Sequence, residues 1–260
     1  MKLSGMWLCV LVAACVLAGC AGGRGSVERR VEAGVHFRQV RLGDGTEHRF
    51  AVYVPWAVVG QAGSRAAAVF LNGSGECGTD GTKQLAVGML PAMMIDPAGW
   101  PLVGVFPQKP TRESAWEEHR EMVMACVEAA VLEFGLDRDR IALTGLSQGG
   151  HGTWMLGAME PKVWSCVAPI CGPMSAEDRA AVVGGIPESM PVWSFHGLAD
   201  PVVEAADTTG MDAALRARGM TTRLTLYEGV GHNSWDRAYR EEGLGVWMAG
   251  QRRAHRGGGI

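Results

Sequence analysis

A serine in a glycine-rich segment has the surroundings that a nucleophile needs. Residues 145–149 read Gly-Leu-Ser-Gln-Gly and stand between a strand-like stretch, residues 140–144, and a helical stretch that runs to Met159. In this pattern small residues permit a sharp strand-to-helix turn that exposes the serine hydroxyl and aims the next backbone N–H at a developing oxyanion. We predict that Ser147 attacks a carbonyl and that Gln148 supplies an oxyanion donor. The alternative is a tight glycine turn with an incidental serine.

Two later loops carry an acid and a base. Asp200 follows the predicted strand 192–195, and His232 lies in a glycine-rich loop after the predicted strand 223–227. A carboxylate that orients an imidazole, which in turn removes a proton from serine, is the arrangement used in nucleophilic acyl transfer. Taken singly, each residue could be a turn aspartate or a surface histidine. The order Ser, Asp, His on three strand-end loops favours a joint role over those separate explanations. The rival acids are Asp207, inside a predicted helix, and Asp236, close after the histidine.

A second glycine-rich loop could complete an oxyanion site. Residues 72–76 read Asn-Gly-Ser-Gly-Glu and follow the predicted strand 67–71. Glycines there would let backbone N–H groups approach a substrate oxygen, and we assign the second donor to the N–H of Ser74. The alternative is a plain glycine-rich turn.

The elements that must position these loops alternate along the chain. Residues 36–42 and 48–54 are strand-like and flank Gly43-Asp44-Gly45, which predicts a hairpin. Beyond it, short apolar runs alternate with amphipathic stretches. The predicted strands are residues 67–71, 102–106, 140–144, 164–170, 192–195 and 223–227, and the predicted helices are 116–134, a stretch ending at 159, 204–218 and 235–248. This order predicts an α/β fold with a mostly parallel sheet, whose ligands lie at the carboxyl ends of the strands.

Composition excludes several classes of protein. The chain has 260 residues, a formal net charge of −3 and 47% hydrophobic residues, which argues against disorder. The charge balance gives no basic face, so we expect no nucleic-acid partner. No paired-cysteine spacing typical of zinc sites occurs, and the chemistry above needs neither a metal nor an organic cofactor. We therefore expect no cofactor.

The two ends of the chain differ from the middle. Residues 1–20 have a basic start, a short apolar stretch and small residues before Cys20, which predicts an export signal; a short membrane anchor is the alternative. Residues 21–34 are interpreted as a flexible tether, residues 35–251 as one domain and residues 252–260 as a disordered tail. An exported location permits disulfides, but the sequence leaves open whether the domain's cysteines pair or remain buried thiols. They are Cys77, Cys126, Cys166 and Cys171.

Two resemblances add to this interpretation. The segment before Cys20 resembles the lipobox of bacterial lipoproteins, which implies a lipid on Cys20 and a location in the cell envelope, in the periplasm or at the outer membrane. Ala21 is not the aspartate that signals inner-membrane retention in that family. Residues 70–76, 144–150, 196–202 and 229–235 resemble bacterial secreted esterases of the α/β-hydrolase fold. The nearest group is the phospholipase/carboxylesterase and prolyl-oligopeptidase-like set, with feruloyl-esterase-like relatives.

The second resemblance implies a fold and a site. It implies an α/β-hydrolase fold with Ser147, Asp200 and His232 as a catalytic triad, and a substrate pocket walled by residues 107–110 and Trp116. Trp116 could equally be a core residue at a helix start. The chain departs from the family at Asn72, where a histidine is usual, and at Cys77, where an arginine is frequent.

The expected function is hydrolysis of carboxylic esters through an acyl-enzyme on serine. The alternatives are a peptidase of the prolyl-oligopeptidase-like type and a non-catalytic, surface-anchored binding protein on the same fold. The expected partner is a small-molecule ester or peptide, and the membrane is contacted through the N-terminal lipid alone.

Overall fold

A computed structural model describes residues 31–61 and 65–254. The predicted export signal, Cys20 and residues 255–260 lie outside the described residues, as does most of the predicted tether. The strands are β1 (Gly34–Arg41), β2 (Glu47–Val54), β3 (Arg65–Leu71), β4 (Val103–Pro107), β5 (Leu136–Leu146), β6 (Cys166–Ile170), β7 (Val192–Gly197) and β8 (Thr222–Tyr227). The α-helices are α1 (Trp56–Val59), α2 (Met89–Ile95), α3 (Arg120–Phe134), α4 (Gln148–Met159), α5 (Ala176–Gly185), α6 (Ala205–Ala217), α7 (Trp235–Arg240) and α8 (Leu244–Gly250).

The eight strands form one sheet in the order β1-β2-β4-β3-β5-β6-β7-β8. β1 and β2 form the predicted hairpin, and β2 also pairs antiparallel with β4. The strands from β4 and β3 onward run parallel, so their carboxyl ends meet at one edge. This is the α/β-hydrolase fold, with a mostly parallel sheet and an N-terminal hairpin.

Helices cover both faces of the sheet. Along β3, Val69 and Leu71 pack with one hydrophobic cluster, which contains buried residues of α3, α4, α5 and α6. Ala68 and Phe70, which point to the opposite face, pack with a second cluster, which contains buried residues of α2, α7 and α8. Strands that are buried on both faces carry continuous apolar runs without alternation. Such runs are the pattern from which the sequence predicts these strands.

Several helices differ from the sequence prediction. α1, α2 and α5 were not predicted, because none carries a long apolar stripe; α5 is marked instead by its N-cap Ser175, whose hydroxyl accepts a hydrogen bond from the Asp178 N–H at 3.0 Å. The single helix predicted over residues 235–248 is two helices, α7 and α8. Residues 241–243 separate them, and Gly243, the N-cap of α8, has a left-handed conformation with φ 68°. A continuous right-handed helix does not accommodate that conformation.

Residues on both sides of the predicted domain, 35–251, contact it in the structure. Val31, within the expected tether, packs against the first hydrophobic cluster. In the expected tail, the Arg252 guanidinium lies 2.7 Å from an Asp137 carboxylate oxygen, and that of Arg253 lies 2.5 Å from Asp139. Residues 252 and 253, which the sequence assigns to the tail, thus have partners on β5, too distant in sequence for local patterns to show.

Candidate active site

Ser147 lies in a strained turn between β5 and α4. Its φ is 53°, a left-handed value that is uncommon for residues with a side chain. The neighbouring glycines are required by close approach: a Cβ on Gly149 would overlap the Leu71 carbonyl oxygen, and one on Gly145 would overlap the Gly149 carbonyl oxygen. The turn thus holds the serine hydroxyl at the carboxyl edge of the sheet.

The structure brings Ser147, His232 and Asp200 together in one hydrogen-bonded row. His232 Nε2 lies 3.0 Å from Ser147 Oγ, and His232 Nδ1 lies 2.8 Å from Asp200 Oδ2. Because an ionised carboxylate only accepts, the ring proton belongs on Nδ1, and Nε2 is left to accept from the serine hydroxyl. The His232 side chain is 19% exposed, so its reactive edge is open to a substrate.

Asp200 is held by backbone donors as well as by His232. Its Oδ1 accepts hydrogen bonds from the N–H groups of Val202 at 2.8 Å and Val203 at 3.0 Å, and its side chain is fully buried. Burial acts to raise the pKa of Asp200, but the hydrogen bonds from His232 and from these two amides outweigh it and hold that pKa below its ordinary value. The carboxylate is therefore ionised near neutral pH.

A second histidine, His196 at the end of β7, contacts the same carboxylate. This fully buried ring places Nε2 3.2 Å from Asp200 Oδ2 and 3.0 Å from the Val203 carbonyl oxygen. Both neighbours accept, so Nε2 carries the proton, and Nδ1 accepts from the Thr208 hydroxyl at 2.7 Å. The local sequence pattern does not assign His196 to the site, and its position four residues before Asp200 is the one signal that could have done so.

The two predicted oxyanion donors are both first residues of a helix. Gln148 begins α4, and Ser74 begins a short 3₁₀ helix, Ser74–Glu76, directly after β3. The first N–H groups of a helix have no acceptor inside it, so these amides are available to a ligand. A Cβ on Gly73 would lie 2.8 Å from Leu146 Cδ1, which places the loop against the residue before Ser147.

Asn72, the departure from the resembled family, orders this loop through neutral hydrogen bonds. Its Oδ1 accepts from the Lys109 N–H at 3.1 Å, and its Nδ2 donates to the Gly73 carbonyl at 2.6 Å. The Asn72 carbonyl accepts from Trp116 Nε1 at 3.0 Å. Trp116 is fully buried, and its indole N–H is used in holding this loop.

A cavity of about 350 Å³ lies beside Gln148. Its wall contains Lys109, Glu113, Ser114, Ala115, Trp116, Gln148, His151, Pro173, Met174, Ser175 and Asp178. His151 faces two acceptors, the Pro173 carbonyl at 3.0 Å and Glu117 Oε1 at 3.4 Å. Burial lowers the pKa of His151, but these hydrogen bonds outweigh it and raise the pKa above its ordinary value. Another cavity, of about 370 Å³, lies next to Trp164 and Ser165, before the amino end of β6, and so at the opposite edge of the sheet.

The rival acids are engaged elsewhere. Asp207, in α6, accepts a hydrogen bond from the Met174 N–H at 3.1 Å, and Asp236 lies 3.5 Å from the Asn233 side-chain amide.

Cys171 lies behind the triad. Its thiol donates to the His232 carbonyl at 3.4 Å, and burial raises its pKa to about 12. One ligand atom each of Cys171, Asp200 and His232 lie within 4.8 Å of one another. The neutral thiol and the Asp200–His232 hydrogen bond fit the triad role better than a metal centre.

The sheet order and the flanking helices define a protein of the α/β-hydrolase fold class. A family model described as phospholipase/carboxylesterase matches residues 81–241, more than half of the chain, a range that contains Ser147, Asp200 and His232. The chain belongs to this phospholipase/carboxylesterase family. A search of curated protein sequences finds no match.

Solved structures show the same fold. A thermostable esterase is 25% identical, with a TM-score of 0.72; the match covers 84% of this chain and 63% of that one. An acylaminoacyl peptidase from Pyrococcus horikoshii is 13% identical, with a TM-score of 0.63, over 87% of this chain and 43% of that one. An S-formylglutathione hydrolase from Staphylococcus aureus is 13% identical, with a TM-score of 0.65, over 84% of this chain and 100% of that one. The chain thus spans less than two thirds of the esterase and less than half of the peptidase.

Proposed function

We propose that this protein is a serine hydrolase that cleaves carboxylic esters. The observation that carries the proposal is the hydrogen-bonded row from Asp200 through His232 to Ser147. In the first step Ser147 Oγ attacks the ester carbonyl while its proton passes to His232 Nε2. The imidazolium formed there is stabilised by the Asp200 carboxylate, and it returns the proton to the departing alcohol as the C–O bond breaks.

The second step reverses the first with water as the nucleophile. His232 accepts a proton from water, the hydroxide adds to the acyl carbonyl, and Ser147 leaves with the proton from His232, which releases the acid. In both steps the carbonyl oxygen becomes negative. The N–H groups of Gln148 and Ser74 are our proposed donors to it, and the loss of one such donor costs about 100- to 1000-fold in rate.

We propose that the cavity beside Gln148 binds one of the two groups that the ester bond joins. Trp116, Pro173 and Met174 give it an apolar part, and its volume suits a short acyl or a single aromatic group. The acylaminoacyl peptidase has the same fold, so peptide bonds are the second substrate class to test. We favour esters because the family model that matches residues 81–241 is described as phospholipase/carboxylesterase.

The proposal is tested with a fluorophosphonate probe, which reacts with activated serines. Purified protein is treated with the probe, and the labelled peptide is located by mass spectrometry, with a His232→Ala variant alongside. We expect labelling of Ser147 that is lost in the variant. Matched esters and anilides of acetate, butyrate and ferulate then separate esterase from peptidase activity. A folded protein that takes no label would favour a non-catalytic binding protein instead.

We also propose that the protein is exported and anchored to the cell envelope by a lipid on Cys20. The support is the segment before Cys20. Among the described residues, none of the helices has the length and apolar character needed to cross a bilayer. Expression in a bacterial host with a labelled fatty acid should label the wild type, and a Cys20→Ala variant should remain unlabelled.

A further inference from the structure

Lys109 is a buried cation next to the proposed oxyanion site. It follows β4 directly and is 0% exposed, which places it among the largest fully buried side chains of the described residues. Its Nζ donates to the Ser114 carbonyl and, at 2.7 Å, to Gln148 Oε1. Both acceptors are neutral. The carboxylates of Glu117, Glu118 and Glu113 favour its charged form through space, but no ion pair within 4.0 Å joins it to a carboxylate in the described part of the chain.

Lys109 also links the two segments that carry the oxyanion donors. Its backbone N–H donates to Asn72 Oδ1 at 3.1 Å, on the loop that leads to Ser74. Its side chain holds Gln148, whose amide is the other donor. The Gln148 side chain is fixed at its second end as well, because Nε2 donates to the Arg112 carbonyl at 3.1 Å. One residue thus ties together two loops that are more than 70 positions apart in the sequence.

The two hydrogen bonds of Lys109 are offset by the cost of burying its charge, so stability alone accounts poorly for a lysine at this position. Burying a charge with only neutral partners is costly, and apolar replacements of buried charges are frequently neutral or stabilising. Burial accordingly lowers the pKa of Lys109. Lys109 lines the proposed substrate cavity, but its side chain is 0% exposed and its Nζ is directed at Ser114 and Gln148. We therefore expect its effect on the reaction to pass through Gln148 and the oxyanion loop, or through the positive charge itself.

We propose that Lys109 is a positioning residue of the oxyanion site, which holds the amides of Gln148 and Ser74 in register and adds a fixed positive charge beside them. The inference rests on the proposed serine-hydrolase function. Preorganised dipoles and charges in a water-poor site act on the transition state more than on the bound ester.

The test replaces Lys109 by methionine, which keeps length and removes charge and donors. We expect kcat/KM for a 4-nitrophenyl ester to fall by about 10- to 100-fold, somewhat less than for loss of a direct donor. Inhibition by a trifluoromethyl ketone, which forms a charged tetrahedral adduct on Ser147, should weaken by the same factor. The melting temperature should change little, because the loss of the hydrogen bonds to Ser114 and Gln148 opposes the gain from no longer burying a charge. Lys162→Met, at an exposed lysine remote from the site, is the matched control and should keep wild-type activity.

Gln148→Met provides a second, independent variant, because it removes the acceptor of Nζ and leaves the backbone amide. We expect a smaller loss, and the double variant should be no slower than Lys109→Met alone, since both changes break the same link. If Lys109→Met does not fold, Gln148→Met decides: full activity there overturns the proposal.

Two other results would also overturn it. One is wild-type kcat/KM in Lys109→Met. The other is a lowered melting temperature with normal ketone affinity, which would indicate a purely structural lysine. A wild-type protein that takes no fluorophosphonate label would instead mean that the proposed function itself is wrong.

Discussion

At the scale of single residues, the chemistry of the site depends on which ring nitrogens and carboxylate oxygens already have a hydrogen-bond partner. The Asp200 carboxylate accepts three hydrogen bonds, from His232 and the amides of Val202 and Val203, and His196 Nε2 lies 3.2 Å from its Oδ2. This leaves Oδ2 facing His232 Nδ1 in one orientation. The direction of the whole row, with the proton on Nδ1 and the lone pair on Nε2, is fixed by these contacts.

Replacing Asp200 by asparagine tests this direction. Asparagine keeps the shape and can still accept from Val202 and Val203, but its amide can present an N–H to Nδ1 and select the wrong tautomer. We expect the fold to persist and kcat to fall by about 1000- to 10000-fold. Steady-state kinetics, with circular dichroism to check the fold, gives the answer. Asp207→Asn is the control, and unchanged turnover in Asp200→Asn would reassign the acid.

At the scale of elements, the site depends on how closely α4 approaches β3. Gly149, the second residue of α4, lies so near Leu71 that a Cβ would overlap its carbonyl oxygen, and Asn72 O would lie 2.8 Å away. Strand β3, which precedes the oxyanion loop, is therefore in backbone contact with helix α4, which carries Gln148. This contact sets the spacing of the two proposed donors.

A pair of glycine-to-alanine variants measures that contact. Alanine in a helix is ordinarily favoured over glycine by about 1 kcal/mol. At Gly184, in α5, a Cβ meets nothing within 4 Å, so Gly184→Ala should be neutral or stabilising by about 0.5–1 kcal/mol. Gly149→Ala should instead destabilise by about 2 kcal/mol or more, as overpacking does, and should abolish labelling of Ser147. Denaturant unfolding compares the two; equal stabilities would mean that α4 can move away from β3.

At the scale of the whole molecule, the sheet is buried on both faces, and the cysteines lie within that packing. Cys126, Cys166 and Cys171 are buried and Cys77 is half-buried; all four are free thiols in the structure. Burial raises the pKa of each of them. Within the described residues, none of these four cysteines forms a disulfide.

Thiol titration checks this arrangement. In protein that begins at residue 21, we expect four thiols to react with Ellman's reagent in guanidinium chloride and at most Cys77 to react quickly in the native state, because the thiolate is the reactive form. The melting temperature should be the same with and without dithiothreitol. A native mass lower by two hydrogens, or a melting temperature that falls on reduction, would show a disulfide.

Local signals explain why most of the fold and three residues of the candidate site could be predicted from the sequence. The hairpin turn at Gly43–Gly45, the apolar strands and the elbow around Ser147 are encoded by residues within a few positions of one another. The sequence does not predict the short helices α1, α2 and α5, because none of them carries a long apolar stripe. The sequence predicts a single helix across Gly243 because the apolar pattern continues on both sides of it.

The sequence by itself determined the order of the strands and of the helices α3, α4 and α6, and the types of residue on the strand-end loops, since backbone preferences and periodicity act over a few residues. Tertiary structure alone decided the partners: His196 on Asp200, Lys109 between Asn72 and Gln148, and Arg252 on Asp137. These contacts join positions that become neighbours only when the parallel strands align their ends, and no local pattern records which distant side chain will complete a hydrogen bond.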